Sequence, residues 1–294
     1  MAVRPATNYQ VRPAASRDQR QIAHLIQSEI FVHRHLDWRS PLDWIGAPLY
    51  LVIEWNGSVV AALACPPDPS DNSNSTQVAW IRLFANANAL SLAEAWGCLW
   101  QAVQADLGST GVNRVAVIAM KDWMPDLLGC SGFSLRQQIV MLERREGLGV
   151  AQEILPPGVR IRPMTLRDLT AAEAVDAAAF DLLWHNSLAA LNQAYRQAVL
   201  ASVAESSQGV IGFQVSTQHA YGAHLSRLAV RPEAQGQGVG QALVADLLRN
   251  LEKRGASHLT VNTQADNVAS LALYRRLGFV ETGEHYPVYE LRVH

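Results

Sequence analysis

The chain has 294 residues, 49% hydrophobic and 17% charged, with a net charge of −2. This is the composition of an ordinary globular protein, long enough for two domains of about 150 residues. The charges divide evenly between the halves, so neither half offers a basic stripe to nucleic acid or a polybasic run to a membrane.

The first residues, Met1-Ala2-Val3-Arg4-Pro5, lead into no apolar segment and do not read as a signal peptide. Val11-Arg12-Pro13 reads as a short strand, and Ser16 opens a helix carrying Ile22, Leu25, Ile26 and Ile30. Leu51 to Trp55 and Ser58 to Ala61 flank Asn56-Gly57, a favoured turn pair, and predict a hairpin. Pro66 to Ser75 is polar and turn-rich, hence an exposed loop. Trp80 to Ala85 and Val115 to Met120 read as strands. Gly147 to Gly158, with Pro156-Pro157, reads as a linker. In the second half, Arg160 to Met164 is a strand, and Thr165 and Asp168 make a capping-box-like start to a helix reaching Phe180. A helix is expected from about Asn186 to Ala201. A hairpin follows over Ser202–Glu205 and Val210–Val215. Strands at Leu225–Val230 and His258–Thr263, helices from Val239 to a stop at Gly255 and from Asn267 to Leu277, and a closing strand at Val288–Val293 complete the half.

The two halves repeat one order of elements. Val11-Arg12-Pro13 parallels Ile161-Arg162-Pro163, Trp80-Ile81-Arg82-Leu83-Phe84-Ala85 parallels Leu225-Ser226-Arg227-Leu228-Ala229-Val230, and Gly132-Phe133 parallels Gly278-Phe279. A near-constant offset of 145 to 146 in the last two pairs argues for duplication. Seven of the eight tryptophans lie in the first half, either as packing or as a partner or substrate surface. Cys65, Cys98 and Cys130 are odd in number and far apart, and suggest neither a disulfide framework nor a CxxC metal site. Each reads as a small buried hydrophobe, in a reducing, cytoplasmic setting. No apolar run nears the roughly 18 residues that span a bilayer.

The most informative stretch is Arg231-Pro232-Glu233-Ala234-Gln235-Gly236-Gln237-Gly238-Val239-Gly240. It joins a strand to an amphipathic helix whose Val239, Leu243, Leu247 and Leu251 recur four apart. A glycine-dense turn there bares several N–H groups at the positive end of a helix dipole, a site for phosphate oxygens. A P-loop would need Gly-Lys-Ser/Thr, and Gly240 is followed by Gln241-Ala242; a dinucleotide fingerprint needs G-x-G-x-x-G, and the spacing here is Gly236-x-Gly238-x-Gly240. A glycine-rich turn without a ligand is the bland alternative. The first half has Asn86-Ala87-Asn88-Ala89-Leu90 at this place and no glycine with which to wrap phosphate.

Gln-x-x-Gly-x-Gly resembles the acyl-CoA pyrophosphate loop of the GNAT superfamily of N-acetyltransferases. Asn267-x-x-Ser270-Leu271-x-Leu273-Tyr274-x-x-Leu277-Gly278-Phe279 is similar to that family's second signature, with Ser270 in place of its usual alanine. The resemblance implies an α/β chain of α+β type. Two GNAT-like domains are expected, each a mixed, mostly antiparallel, splayed sheet flanked by helices. Residues 1–145 would be a degenerate domain without a CoA loop, 146–158 a linker and 159–294 the catalytic domain.

The same resemblance implies that acetyl-CoA is the co-substrate and that acetyl passes to a primary amine by direct attack in a ternary complex. The pyrophosphate would be gripped by Gln235, Gly236, Gln237, Gly238, Val239, Gly240 and Gln241. Leu228, Ala229 and Val230 would pair with the pantetheine arm, with the Val230 amide as oxyanion donor. Asn267 would contact the pantetheine, and Tyr274 would present its hydroxyl to the CoA sulfur as general acid. In their own right Asn267 could be a helix N-cap and Tyr274 a core residue. His224 stands where several branches place a glutamate that deprotonates the amine, and its residue type titrates in a suitable range; a structural histidine is equally open, with Ser226, Glu281 and His285 as lesser candidates. Phe180, Trp184, His185, Tyr286 and Tyr289 are candidate walls of the acceptor pocket, of which Phe180, Trp184 and Tyr286 are the leading substrate contacts. The second half contains no cysteine to act as a covalent nucleophile. The acceptor, a small molecule or a protein, is left open, as is the first half's role in shaping the site or mediating a homodimer. A sensor or scaffold that binds acyl-CoA without turnover is the alternative from a different class.

Overall fold

The computed structural model describes residues 9–67, 77–145, 155–219 and 222–293. Met1 to Pro5, most of the loop expected from Pro66 to Ser75, and the linker up to residue 154 lie outside the described residues. The chain forms two compact units. One takes the chain up to Arg136 and again from Pro287, and the other takes Gln137–Tyr286.

The first unit contains β1 (Tyr9–Pro13), α1 (Gln19–Ser28), β2 (Phe31–Arg34), β3 (Tyr50–Trp55), β4 (Ser58–Ala64), β5 (Gln77–Trp80), β6 (Leu83–Asn86), α2 (Leu92–Leu107), β7 (Val112–Ile118) and α3 (Met124–Cys130). Five strands form an antiparallel sheet in the order β1-β3-β4-β6-β2. The β3–β4 hairpin turns through Asn56 and Gly57 at φ +49° and +78°, the left-handed pair that the Asn-Gly sequence favours. The strand expected over Trp80–Ala85 is broken. The Ile81 N–H donates to the Ala116 carbonyl and the Arg82 N–H to the Ala64 carbonyl, so the chain changes partner within one residue. β5 accordingly pairs parallel with β7. On the sheet lies α2, held by Ala95, Trp96, Leu99, Trp100, Val103 and Leu107. Trp44, Trp80, Trp96 and Trp100 are buried, which places these four tryptophans in packing roles. Of the cysteines only Cys65 is buried, while Cys98 is half-buried and Cys130 exposed, because Cys130 ends α3 on its outer side.

The second unit contains most of β8 (Ser134–Arg144), then β9 (Arg160–Pro163), α4 (Leu169–Ala179), α5 (Leu188–Gln197), β10 (Leu200–Ser206), β11 (Gly209–His219), β12 (Gly222–Val230), α6 (Val239–Lys253), β13 (Leu259–Gln264), α7 (Val268–Arg276) and the start of β14 (Val280–Arg292). Its strand order is β8-β13-β12-β11-β10-β9. Only β12 and β13 run parallel; the other described pairs are antiparallel. α6 buries Val239, Leu243, Leu247 and Leu251, the face that the four-residue spacing predicts. The stretch read as closing the second repeat does not do so. Val288–Arg292 pairs with β7 and belongs to the first unit, whereas Ile139–Arg144 pairs with β13 in the second.

Each unit carries the same lock at its start. Arg12 binds Asp18 and Glu54 at 2.7 and 2.6 Å, and Arg162 binds Asp168 and Glu205 at 2.7 and 3.1 Å. In both, the aspartate also accepts the N–H three residues earlier, from Ala15 or Thr165 at 2.8 Å, so one carboxylate ends the strand and starts the helix.

Candidate active site

The site is built around the way β12 leaves β13. The parallel pairing covers Ala223–Leu259, His224–Thr260 and Leu225–Val261, and stops there. β12 continues to Val230 along β11, with a bulge that leaves Ser226 between the pairs Leu225–Ser216 and Arg227–Val215. The Ser226 and Thr217 hydroxyls lie 2.9 Å apart and hold the extra residue in place. A bulge bends its strand and raises the local twist, so the two parallel strands part from Ser226 onward.

The parted edge carries free donors. The Arg231 N–H donates to the Ile211 carbonyl at 2.9 Å, which makes 231 a hydrogen-bonded partner of 211. In an antiparallel ladder such pairs alternate. Ala229 and Arg227 therefore turn their amides to β11, and Leu228 and Val230 turn theirs to the gap.

The gap leads to the glycine loop. Gly236 and Gly238 have φ of +72° and +89°, a backbone that residues with a Cβ rarely adopt. Gly238 caps α6 in the left-handed conformation with no side-chain hydrogen bond, so the amides of Val239, Gly240 and Gln241 have no partner within the helix. Val239 is buried and can offer a ligand only its amide. A Cβ on Gly240 would stand 3.4 Å from Leu273 of α7, 3.8 Å from Val230 and 4.0 Å from Leu228, so the helix lies close against α7 and the strand edge at this glycine. The Gln235 side chain donates back to the Val230 carbonyl at 3.0 Å and Gln237 to the Glu233 carbonyl at 2.8 Å. Both glutamines thus brace the loop from within.

Asn267 caps α7, its side-chain oxygen accepting the Ser270 N–H at 3.0 Å and its NH2 group donating to the Gln264 side-chain oxygen at 3.5 Å, so its structural role is real. Tyr274 is buried against Phe279, ring centroids 5.5 Å apart. Burial pushes the phenol well above its ordinary value, with the Arg227 charge opposing. The hydroxyl holds its proton more firmly than a free tyrosine. His224 places its Nδ1 2.8 Å from the Thr260 hydroxyl, across the last cross-strand pairs before the gap. Thr260 also donates, at 3.4 Å, to the Ala223 carbonyl. That arrangement suits an Nδ1–H donated to Thr260, with the lone pair on Nε2.

On the side of α4, Phe180 and Trp184 come together around Arg227, a residue the sequence reading passed over. The Arg227 guanidinium lies 3.5 Å over the Phe180 ring, binds both Asp176 oxygens at 2.6 and 2.7 Å, and donates to the Trp184 carbonyl at 2.8 Å. An arginine inside an otherwise apolar strand run, at matching places in both halves, was the available signal, since a buried charge requires a partner. Burial, with the hydrogen bond that its hydroxyl donates to Glu284 at 2.7 Å on the same strand, pushes the Tyr286 phenol up to about 12. Glu281 is paired with Arg275 at 2.6 Å. Tyr289 packs on the core of the first unit, because its stretch of β14 pairs with β7.

The equivalent edge in the first unit is filled. β2 lies along β6, pairing Val32 with Ala85, the counterpart of Val230. The edge that stands open in the second unit is covered here by the chain's own strand. The following helix, α2, is capped by the Ser91 side chain at 3.3 Å rather than left bare.

Residues 166–279 match the model of a family described as "Acetyltransferase (GNAT) family". A mycothiol acetyltransferase of Saccharomonospora viridis is 35% identical over 156 residues, 45% of this chain and 50% of that protein. A ribosomal protein bS18 alanine N-acetyltransferase of Escherichia coli is 34% identical over 121 residues, 41% of this chain and 80% of that protein. The match thus spans about half the length of the mycothiol acetyltransferases. Among solved structures, a tandem GNAT protein from the clavulanic acid biosynthesis pathway superposes with a TM-score of 0.66 and 12% identity, covering 97% of this chain and 98% of that one. A GCN5-related N-acetyltransferase from Sphaerobacter thermophilus gives 0.63 and 16%, covering 98% and 96%. These two likenesses are of fold, and both run through the whole chain.

Proposed function

The chain belongs to the GNAT acetyltransferase family, and we propose that its second unit moves acetyl from acetyl-CoA to a primary amine by direct attack in a ternary complex. The observation that carries this reading is the parted β12–β13 edge, whose Leu228 and Val230 amides face a gap that opens onto the bare N-terminus of α6. These residues fit the co-substrate. Loop and helix amides from Gly236 to Gln241 suit pyrophosphate, and the strand edge suits an amide-bearing arm laid along it.

The chain's own residues then have distinct tasks. The Val230 amide donates to the thioester oxygen as it gains charge, a role worth about 3 kcal/mol in other enzymes. His224, its ring oriented by Thr260 beside the gap, takes the proton that the attacking amine must lose. Tyr274 donates a hydrogen bond to the departing sulfur. Its raised pKa makes full transfer to a thiolate uphill, since thiols titrate near 8.5, so the hydroxyl stabilises the leaving group more than it protonates it. Phe180 and Trp184 form the wall beside which the acceptor binds, and Tyr286 extends that wall from β14. The first unit has no acyl-CoA site, because β2 occupies the matching edge.

The relatives are named for mycothiol in one case and for an alanine of ribosomal protein bS18 in the other. Both a small amine and a protein N-terminus therefore belong in the test. Free-thiol release from acetyl-CoA is measured across amines and peptides with free N-termini. Acceptor-dependent release is the expected result; acetyl-CoA binding without release for any acceptor would favour the sensor.

A further inference from the structure

In both units an arginine stands where the strands part. Arg227 follows the bulged Ser226, within the stretch of β12 that β13 no longer pairs. Arg82 is the residue at which the first unit's chain leaves β7 for β4. Each is paired with an aspartate and laid on an aromatic ring. Arg82 binds Asp37 and lies 4.5 Å over Trp44; Arg227 binds Asp176 and lies 3.5 Å over Phe180.

The connection after the first helix of each unit meets two fates. In the first unit Phe31–Arg34 becomes β2 and takes the edge of β6. In the second unit the corresponding stretch, 180–187, forms no strand. Its backbone is held instead by the ion pair. The Trp184 carbonyl accepts from Arg227 at 2.8 Å, and the Asn186 N–H donates to Asp176 at 2.6 Å. Asp176 is fully buried and Arg227 nearly so. A buried pair is weak evidence for stability, because desolvation offsets most of its attraction. Its fork geometry, however, fixes position in a way that a point charge does not.

We propose that the Arg227–Asp176 pair is the positioning device of the second unit's groove: it anchors β12 just past the bulge and holds 180–187 away from the edge formed by Leu228–Val230. Neither residue touches the reacting atoms in this scheme. The inference rests on reading that edge as the acetyl-CoA groove, and its test separates the two.

The double variant Arg227→Met with Asp176→Leu removes both charges and leaves none buried alone. Arg227→Lys keeps the charge without the fork and serves if the double variant does not fold. Arg82→Met with Asp37→Leu is the matched control in the first unit. Two quantities are read: CoA affinity by calorimetry, and amide hydrogen exchange of peptides covering 180–187 and 226–231 in the ligand-free protein. Both Arg227 variants are expected to lose at least tenfold in CoA affinity and to change exchange of the Leu228 and Val230 amides at least tenfold, with 180–187 exchanging faster. The control is expected to match wild type in both readings. Wild-type affinity and wild-type exchange in folded Arg227 variants would overturn the proposal, as would equal changes in the control. If the wild type binds no CoA, the acetyl-CoA reading fails, and the exchange data alone decide whether the pair holds the groove.

Discussion

Gly238 offers the sharpest test of the loop. Its φ of +89° lies in the left-handed region, and among the described residues a Cβ there would meet only the Pro156 ring at 3.9 Å. Gly238→Ala therefore adds no clash; its cost is conformational, about 1–2 kcal/mol for a residue with a Cβ. If the loop keeps its shape only when ligand binds, that cost falls on binding and lowers CoA affinity roughly 5- to 30-fold. If the loop is rigid beforehand, the same cost falls on folding, at roughly 2–4 °C per kcal/mol for a unit of this size. Gly255 ends the same helix with φ +73° and open space around its Cβ position, so Gly255→Ala carries the same strain far from the groove. Calorimetry with CoA and thermal melts of both variants separate the cases. Gly238→Ala should weaken CoA binding and Gly255→Ala should lower only the melting temperature. Equal CoA affinity in the two variants, with equal losses in melting temperature, would place the strain on folding and refute a loop that takes its shape on binding CoA.

Tyr274→Phe should leave CoA affinity unchanged and lower kcat by up to about a hundredfold, the low end for a positioned proton donor; unchanged turnover would remove the hydroxyl from the mechanism. His224→Gln should remove the acidic limb of the kcat/KM pH profile in steady-state assays, and a retained limb would assign the base elsewhere. In the first unit, burial lowers His33 from 6.5 to about 4 and lowers His35 as well, the latter with help from the Arg82 charge. Both are stable neutral in the fold. Their contribution is complete above pH 6.5 and is lost as pH falls toward 4, with His33 alone removing up to about 3 kcal/mol at about 1.4 kcal/mol per pKa unit. Chemical denaturation from pH 7 to 4 should show it, and His33→Gln should flatten the slope.

Local chemistry made much of this legible. The Asn56-Gly57 turn, the four-spaced face of α6, the glycines at positive φ and the Asn267 cap are all short-range requirements, satisfied within a few residues of where they are written. The repeated arginine locks at Arg12 and Arg162 were visible as parallel strand openings, although their glutamate partners, Glu54 and Glu205, come from more than 40 residues away. Three features were not legible, and each depends on long-range pairing. Phe31–Arg34 is too short to show alternation and becomes β2 only because β6 offers it an edge. The break at Ile81–Arg82 arises from a change of partner rather than a breaker residue. The exchange of strand partners around β8 and β14 is set by register between distant segments. Arg227 and Asp176, 51 residues apart, belong to the same class.

One groove of this chain, in the second unit, is proposed to take acetyl-CoA. Calorimetric titration of the full chain with acetyl-CoA tests it most directly. One site per chain is expected, lost in the Gly238→Ala, Gly240→Val double variant. Two sites would contradict the closed edge at β2, and one site that survives the glycine replacements would place the ligand somewhere other than this loop.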